Sequence, residues 1–176
     1  EKALINVSAI AGTGDAGTLE VLVDNLTLDD ATIFGSTGGE GDGGSILVND
    51  PDVLANPNIG TSIQLVNGSV ISVSAFSDAR PGSIVLDATD VLITDVSRVE
   101  SDTRGALRAA RDTGISIDGE RLELSGNSTI SSSSTGAADA GNISITLGDR
   151  LDIVGSAVNT TSAMAGGGII FIDTKD

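Results

Sequence analysis

The stretch Asp139-Ala140-Gly141-Asn142-Ile143-Ser144-Ile145-Thr146, followed shortly by Asp149-Arg150-Leu151-Asp152-Ile153, decides how this chain folds. Apolar residues fall at every second position in both runs, the pattern of strands with one buried face. A Gly-led segment of this kind recurs along the chain. It reads Gly17-Thr18-Leu19-Glu20-Val21, Gly44-Ser45-Ile46-Leu47-Val48, Gly82-Ser83-Ile84-Val85-Leu86, Gly114-Ile115-Ser116-Ile117 and Gly168-Ile169-Ile170-Phe171-Ile172. From Gly17 through Gly44, Gly82, Gly114, Gly141 and Gly168 the spacings are 27, 38, 32, 27 and 27 residues, so the unit is about 27 residues long and two copies carry insertions.

Each unit holds two further short strands. The second reads Leu26-Thr27-Leu28, Ile63-Gln64-Leu65, Val91-Leu92-Ile93, Leu122-Glu123-Leu124 and Leu151-Asp152-Ile153. The third reads Ala31-Thr32-Ile33, Ser69-Val70-Ile71, Ser97-Arg98-Val99, Ser128-Thr129-Ile130 and Ser156-Ala157-Val158. Helical spacing is nearly absent. Three short strands repeated about six times predict an all-β solenoid, a parallel β-helix of about six coils, in which equivalent strands stack about 4.8 Å apart around a column of Ile, Leu and Val. Ile84, Ile143 and Ile145 are expected to point into that column. A narrow interior also accounts for the composition: three Phe, no Trp and no Tyr, with Gly, Asn and Asp free to turn corners. An antiparallel sandwich would show similar short strands, but not the regular return of one Gly-led segment.

The 176 residues suit a single domain, 1–176, and Leu, Ile, Val and Phe make up 50 of them, enough for a core. Without His or Cys the chain cannot build a Ser-His-Asp or Cys-His triad, a zinc site of the usual ligands, a haem held by His or Cys, or an iron–sulfur cluster. No catalytic residues, no metal and no cofactor are expected. A net charge of −16 argues against nucleic acid and against anionic membranes. No apolar run approaches 18 residues and no signal peptide is recognisable, so membrane insertion is not expected. Both ends fall mid-pattern, and the chain is expected to be one segment of a larger protein.

The Gly-Asn-Ile-x-Ile run at Gly141–Ile145 and the Leu-x-Leu-x-x-Gly-like run Leu122-Glu123-Leu124-Ser125-Gly126-Asn127-Ser128-Thr129-Ile130-Ser131 resemble the repeats of filamentous haemagglutinin-type exoproteins, in the flavour of cyanobacterial and other Gram-negative proteins exported by two-partner secretion. The resemblance covers nearly the whole chain. It implies a right-handed parallel β-helix, export to the cell surface, and service as an adhesin, a stalk or the carrier of a terminal effector. The expected function is therefore a structural or adhesive rod on the outer surface of a Gram-negative bacterium. Surface glycans or a neighbouring cell would be the partners, and isolated segments are expected to associate end to end. Gly114 departs from the repeat in lacking the polar residue that follows Gly141.

The insertions are the natural places for function, since loops on rigid scaffolds carry it. The first, near 49–62, includes Asn49-Asp50-Pro51-Asp52 and Asn56-Pro57-Asn58, whose prolines exclude it from a ladder. The second, 100–112, runs through Arg104, Arg108 and Arg111, with Arg98 just before it and one short helical turn expected at Leu107-Arg108-Ala109-Ala110-Arg111. Arg98, Asp102, Arg104, Arg108 and Arg111 are the candidate binding residues, placed to hold an anionic sugar or carboxylate bidentately. Pairing with Glu100, Asp102 and Asp112 is the competing reading. A second function class, a pectin-lyase-like lyase or hydrolase, would require a cleft gathering at least two carboxylates and an Arg; Asp29-Asp30 or Asp50 with Asp52 could contribute if set at a corner. A third, a calcium-stabilised surface module, is suggested by Gly38-Gly39-Glu40-Gly41-Asp42-Gly43-Gly44, although its Asp falls one place early for a calcium repeat. The Ser131-Ser132-Ser133-Ser134-Thr135 run and Thr160-Thr161-Ser162, about one unit later, read as a polar corner.

Overall fold

The computed structural model describes residues 2–49, 60–76, 80–105 and 114–175, and within them all regular structure is β-strand. The strands are β1 (Ala3–Asn6), β2 (Thr18–Val21), β3 (Asn25–Asp29), β4 (Ala31–Thr37) and β5 (Ser45–Val48). They continue with β6 (Ser62–Val66), β7 (Val70–Ala75), β8 (Ser83–Ile93), β9 (Arg98–Thr103) and β10 (Gly114–Ser125). The last four are β11 (Thr129–Ser134), β12 (Asn142–Val154), β13 (Ala157–Ser162) and β14 (Ile170–Thr174). All named pairings are parallel, and they build two stacked sheets: β1-β4-β7-β9-β11-β13, and β2-β5-β8-β10-β12-β14 with β3 and β6 joined to it through β8. This is the parallel β-helix read from the repeats. Its stacks are six strands deep and enclose five complete turns.

Pairing register gives the true length of each turn. Thr18 faces Ser45, Ile46 faces Ile84, Ser83 faces Gly114, Gly114 faces Asn142 and Ile143 faces Ile170. The turns are thus 27, 38, 31, 28 and 27 residues long, and Gly114 is not a member of the marker-glycine column. It sits one place later, level with Ser83 and Asn142, which is why no polar residue follows it. The true marker glycines serve close approach. A Cβ on Gly44 would strike the carbonyl oxygen of Gly17, one on Gly82 that of Gly44, and one on Gly168 that of Gly141.

A second difference concerns strand number. The first and second short strands are separate in β2/β3 and in β5/β6, but they fuse into one long strand in β8, β10 and β12. The bend survives as a register slip: Gly119 faces Leu147 while Arg121 faces Arg150, so β12 carries an extra residue there. Such a bulge turns the chain without breaking the ladder. Sequence alternation alone reads this slip as a corner.

Inside, equivalent aliphatic residues stack turn on turn. One ladder runs Ile5, Ile33, Ile71, Val99, Ile130 and Val158. Another runs Leu19, Ile46, Ile84, Ile115, Ile143 and Ile170, and a third Leu28, Leu65, Ile93, Leu124 and Ile153. Ile84, Ile143 and Ile145 are fully buried, as the alternation requires. Each such side chain contributes roughly 1.5–3 kcal/mol relative to leaving it exposed. Toward the carboxyl ends of β9 and β11 the interior turns polar and small, with Ser101, Thr103, Ser132 and Ser134 all buried. Ser132 donates to the Ser101 carbonyl at 3.2 Å, while the Ser101 and Ser134 hydroxyls have no partner among the described residues. The Ser131–Thr135 run is therefore mostly strand, with Ser132, Ser133 and Ser134 in register with Thr160, Thr161 and Ser162, and it is not a corner.

The corners before β7, β9 and β11 are built from left-handed residues and serine. Asn67-Gly68, Asp95-Val96 and Gly126-Asn127 are consecutive positive-φ pairs, and Ser69, Ser97 and Ser128 follow them. The hydroxyl of each serine accepts the backbone N–H of its counterpart one turn earlier. Ala31 donates to Ser69 at 3.2 Å, Ser69 to Ser97 at 3.2 Å, Ser97 to Ser128 at 3.1 Å and Ser128 to Ser156 at 3.1 Å. The Ser69, Ser97 and Ser128 amides share each of these bonds with the carbonyl three residues back, so the corner N–H groups are satisfied both within and between turns. Gly, Asn and Asp tolerate this conformation; Val96, with φ 64° and a 60 % exposed side chain, does not.

Candidate functional site

Of the five candidate binding residues, Arg98, Asp102 and Arg104 come together on one outward face, while Arg108 and Arg111 lie outside the described residues. So do the expected helical turn at 107–111 and residues 50–59 of the first insertion, Asp50 and Asp52 among them. Residues 98–103 belong to β9 and not to an inserted loop, because Val99, Ser101 and Thr103 continue the inward alternation. Arg98, Glu100 and Asp102 consequently alternate outward, and Arg104 extends the row, its N–H bonded to the Ala75 carbonyl at 2.9 Å.

This row is internally paired. Arg98 Nε lies 3.3 Å from Glu100 Oε1, Ser133 donates to Asp102 Oδ1 at 2.6 Å, and the Arg104 guanidinium sits 4.9 Å from the centre of the Phe76 ring. Small hydroxyls flank it: Ser72 and Ser74 on β7, Ser131 and Ser133 on β11. Burial among these neighbours pushes the Glu100 carboxyl above its ordinary range; Arg98 pulls it back in part and Asp102 pushes it further up. Local pairing, rather than a convergent arginine cluster, describes Arg98.

A second charged face lies outside the expected binding residues. The second halves of β8, β10 and β12, with β6, form an open groove of about 430 Å³ on the outside of the solenoid. One wall is the column Ser62, Asp90, Arg121, Arg150. The other is Gln64, Leu92, Glu123, Asp152. Arg121 donates bidentately to Asp90, Nε to Oδ1 at 2.6 Å and Nη2 to Oδ2 at 3.0 Å, and its Nη1 lies 3.7 Å from Asp149. The hydrogen bond and charge of Asp90 hold the Arg121 proton more firmly than usual. Arg150 grips Asp152 in the same fashion, at 2.7 and 2.9 Å. Glu123 takes a single hydroxyl, from Ser125 at 3.2 Å.

These columns join residues 28 to 31 positions apart, so no local motif announces them. The available signal was the period itself: Asp90, Arg121 and Arg150 each stand immediately before the second short strand of their unit. Chemically the groove offers several planar groups able to form two parallel hydrogen bonds. It also gathers two or more carboxylates beside an Arg, the feature a lyase or hydrolase would need.

Elsewhere, carboxylates tie one turn to the next. Asp42 donates its N–H to Asp15 Oδ1 at 2.8 Å and accepts the Arg80 N–H at 3.0 Å, so the Gly38–Gly44 segment uses its Asp to tie successive turns. Asp29 and Asp30 do sit at a corner, but Asp29 accepts from Asn67 at 2.8 Å and Asp30 pairs with Lys2 at 2.6 Å. Among the described residues no group of three or more carboxylates is placed to share a metal ion, and no helix is long and apolar enough to cross a membrane. Comparison with known proteins gave no match to a family model, to a curated protein or to a solved structure.

Proposed function

We propose that this chain is a right-handed rod segment of a secreted or surface-displayed bacterial exoprotein, serving as structural spacer and adhesive surface. The observation that carries this reading is the unbroken parallel register through six strands of the first sheet, which yields rigid length from a degenerate repeat. Five turns at about 4.8 Å each advance the rod by roughly 24 Å. Export by two-partner secretion, and contact with glycans or a neighbouring cell, follow from the resemblance of the repeats to haemagglutinin-type exoproteins. End-to-end association would cover Leu4 and Ile5 at one edge and Ile170, Phe171 and Ile172 at the other, all exposed. The test is labelling of intact source cells with antibody raised against this chain. Labelling without permeabilisation is the expected result; labelling only after permeabilisation would overturn the surface role.

The groove favours one second reading, a polysaccharide hydrolase or lyase, because Asp90, Glu123 and Asp152 gather there beside Arg121 and Arg150. Release of reducing ends or unsaturated products from a polysaccharide panel tests it, and a panel left intact would dismiss it.

A further inference from the structure

We propose that the groove across β6, β8, β10 and β12 binds an uncharged, extended, polyhydroxylated chain, a neutral polysaccharide strand lying along the solenoid axis. The inference deepens the adhesive reading and rests on it. Shape is the first support. The groove crosses four successive turns, so at about 4.8 Å per strand it extends roughly 14 Å along the axis, between walls set by residues two apart on each strand. That outline suits a polymer better than a compact molecule.

Charge bookkeeping within the groove selects the polymer. Asp90 with Arg121, and Arg150 with Asp152, are closed bidentate pairs, leaving the Glu123 carboxylate as the excess charge of the two walls. A polyanion would meet that carboxylate, the aspartate already seated on each guanidinium, and a chain of net charge −16. A basic chain would run along the adjacent Arg121 and Arg150. Neutral hydroxyls meet neither obstacle.

The pairs leave hydrogen-bonding capacity unspent. Each guanidinium has five N–H donors and uses two on its partner, and each carboxylate keeps lone pairs open to solvent. Donors and acceptors therefore lie side by side, which suits neighbouring hydroxyls that both give and take a hydrogen bond. Mutual pairing also holds these side chains in place before a ligand arrives, reducing the ordering cost of binding. Leu92 completes the set. It is the apolar member of an outward column otherwise made of Thr27, Gln64, Glu123 and Asp152, and it lies half-buried in the groove wall, where it can meet the C–H face of a sugar ring.

The test uses the whole chain against immobilised mannan, dextran and xyloglucan as neutral probes, with polygalacturonate and a Lys-rich peptide as charged ones, at low and high salt. Saturable binding of at least one neutral glycan, little changed by salt, is expected. Arg121→Ala, Glu123→Ala and Leu92→Ser should each weaken it roughly tenfold or more with an unchanged melting profile, whereas Glu40→Gln at a distant corner should leave it intact. Preference for polygalacturonate or the basic peptide, binding that the groove variants do not weaken, or no neutral binding at all would overturn the proposal. The rod reading is judged separately by cell labelling, so its failure would leave glycan binding by the purified chain measurable.

Discussion

Replacing Val96 inverts an ordinary preference. At most strand and turn positions Ala is at least as stable as Gly, because Gly brings extra freedom to the unfolded chain, worth about 0.5–1 kcal/mol. Val96 has φ 64°, the second of two consecutive left-handed residues, where any Cβ crowds the following carbonyl at about 1–2 kcal/mol. The equivalent residues of other turns are Gly68, Asn127 and Gly155. Since the Val96 side chain is 60 % exposed, removing it sacrifices little packing. Val96→Gly should therefore be more stable than Val96→Ala by about 0.5–1 kcal/mol, and more stable than the natural chain as well. Urea unfolding is the assay: the midpoint should rise in the order Ala, Gly with an unchanged slope, and melting should separate the two variants by about 1–4 °C. Val96→Asn should fall between them, as Asn tolerates this region. If Val96→Ala equals or exceeds Val96→Gly, backbone strain at the Asp95-Val96 corner is not what the structure implies.

Ile143→Asp, at a fully buried rung between Ile115 and Ile170, should cost several kcal/mol, whereas the outward neighbour Ser144→Asp should be nearly neutral; equal melting of the two would refute the register. Gly82→Ala would drive a Cβ into the Gly44 carbonyl oxygen and should lower stability by about 1–3 kcal/mol in the same unfolding assay. Glu100→Gln probes charge: with its carboxyl pushed above the ordinary range by burial, the folded state binds more protons than the unfolded one, so Glu100 disfavours folding once it ionises. The variant should be more stable than the natural chain at neutral pH, and the gap should close as pH falls from the raised folded value of Glu100 down to the ordinary carboxylate value.

How much was legible follows from distance along the chain. Inward ladders such as Ile33, Ile71, Val99, Ile130 could be read from alternation and period because each is written locally as a strand and then repeated. Gly114 was misread as a marker because a glycine lay one place from where the period put one, and only pairing with Ser83 and Asn142 distinguishes the two places. The fused strands were hidden because Gly119-Glu120 and Gly148-Asp149 look like turn residues, while their backbone continues the ladder through a bulge. Of the expected binding row, Arg98, Asp102 and Arg104 do share a face, since they alternate on β9. The groove stayed invisible because Asp90 meets Arg121 only through the stacking of one turn on the next.

The serine corners give the rod a direction in time. Each serine hydroxyl accepts an amide from the turn before it, so Ser69 is completed by Ser97, Ser97 by Ser128 and Ser128 by Ser156. A turn that forms first shares each of these amides with the carbonyl three residues back in its own corner, at 3.2 Å for Ser69 and Ser97 and 3.3 Å for Ser128, and presents it as well to the hydroxyl of the turn that settles next. For a chain delivered amino end first, whether from a ribosome or through a pore, folding can advance one turn at a time, each new layer settling on the open strand edges and corner amides of the one beneath it.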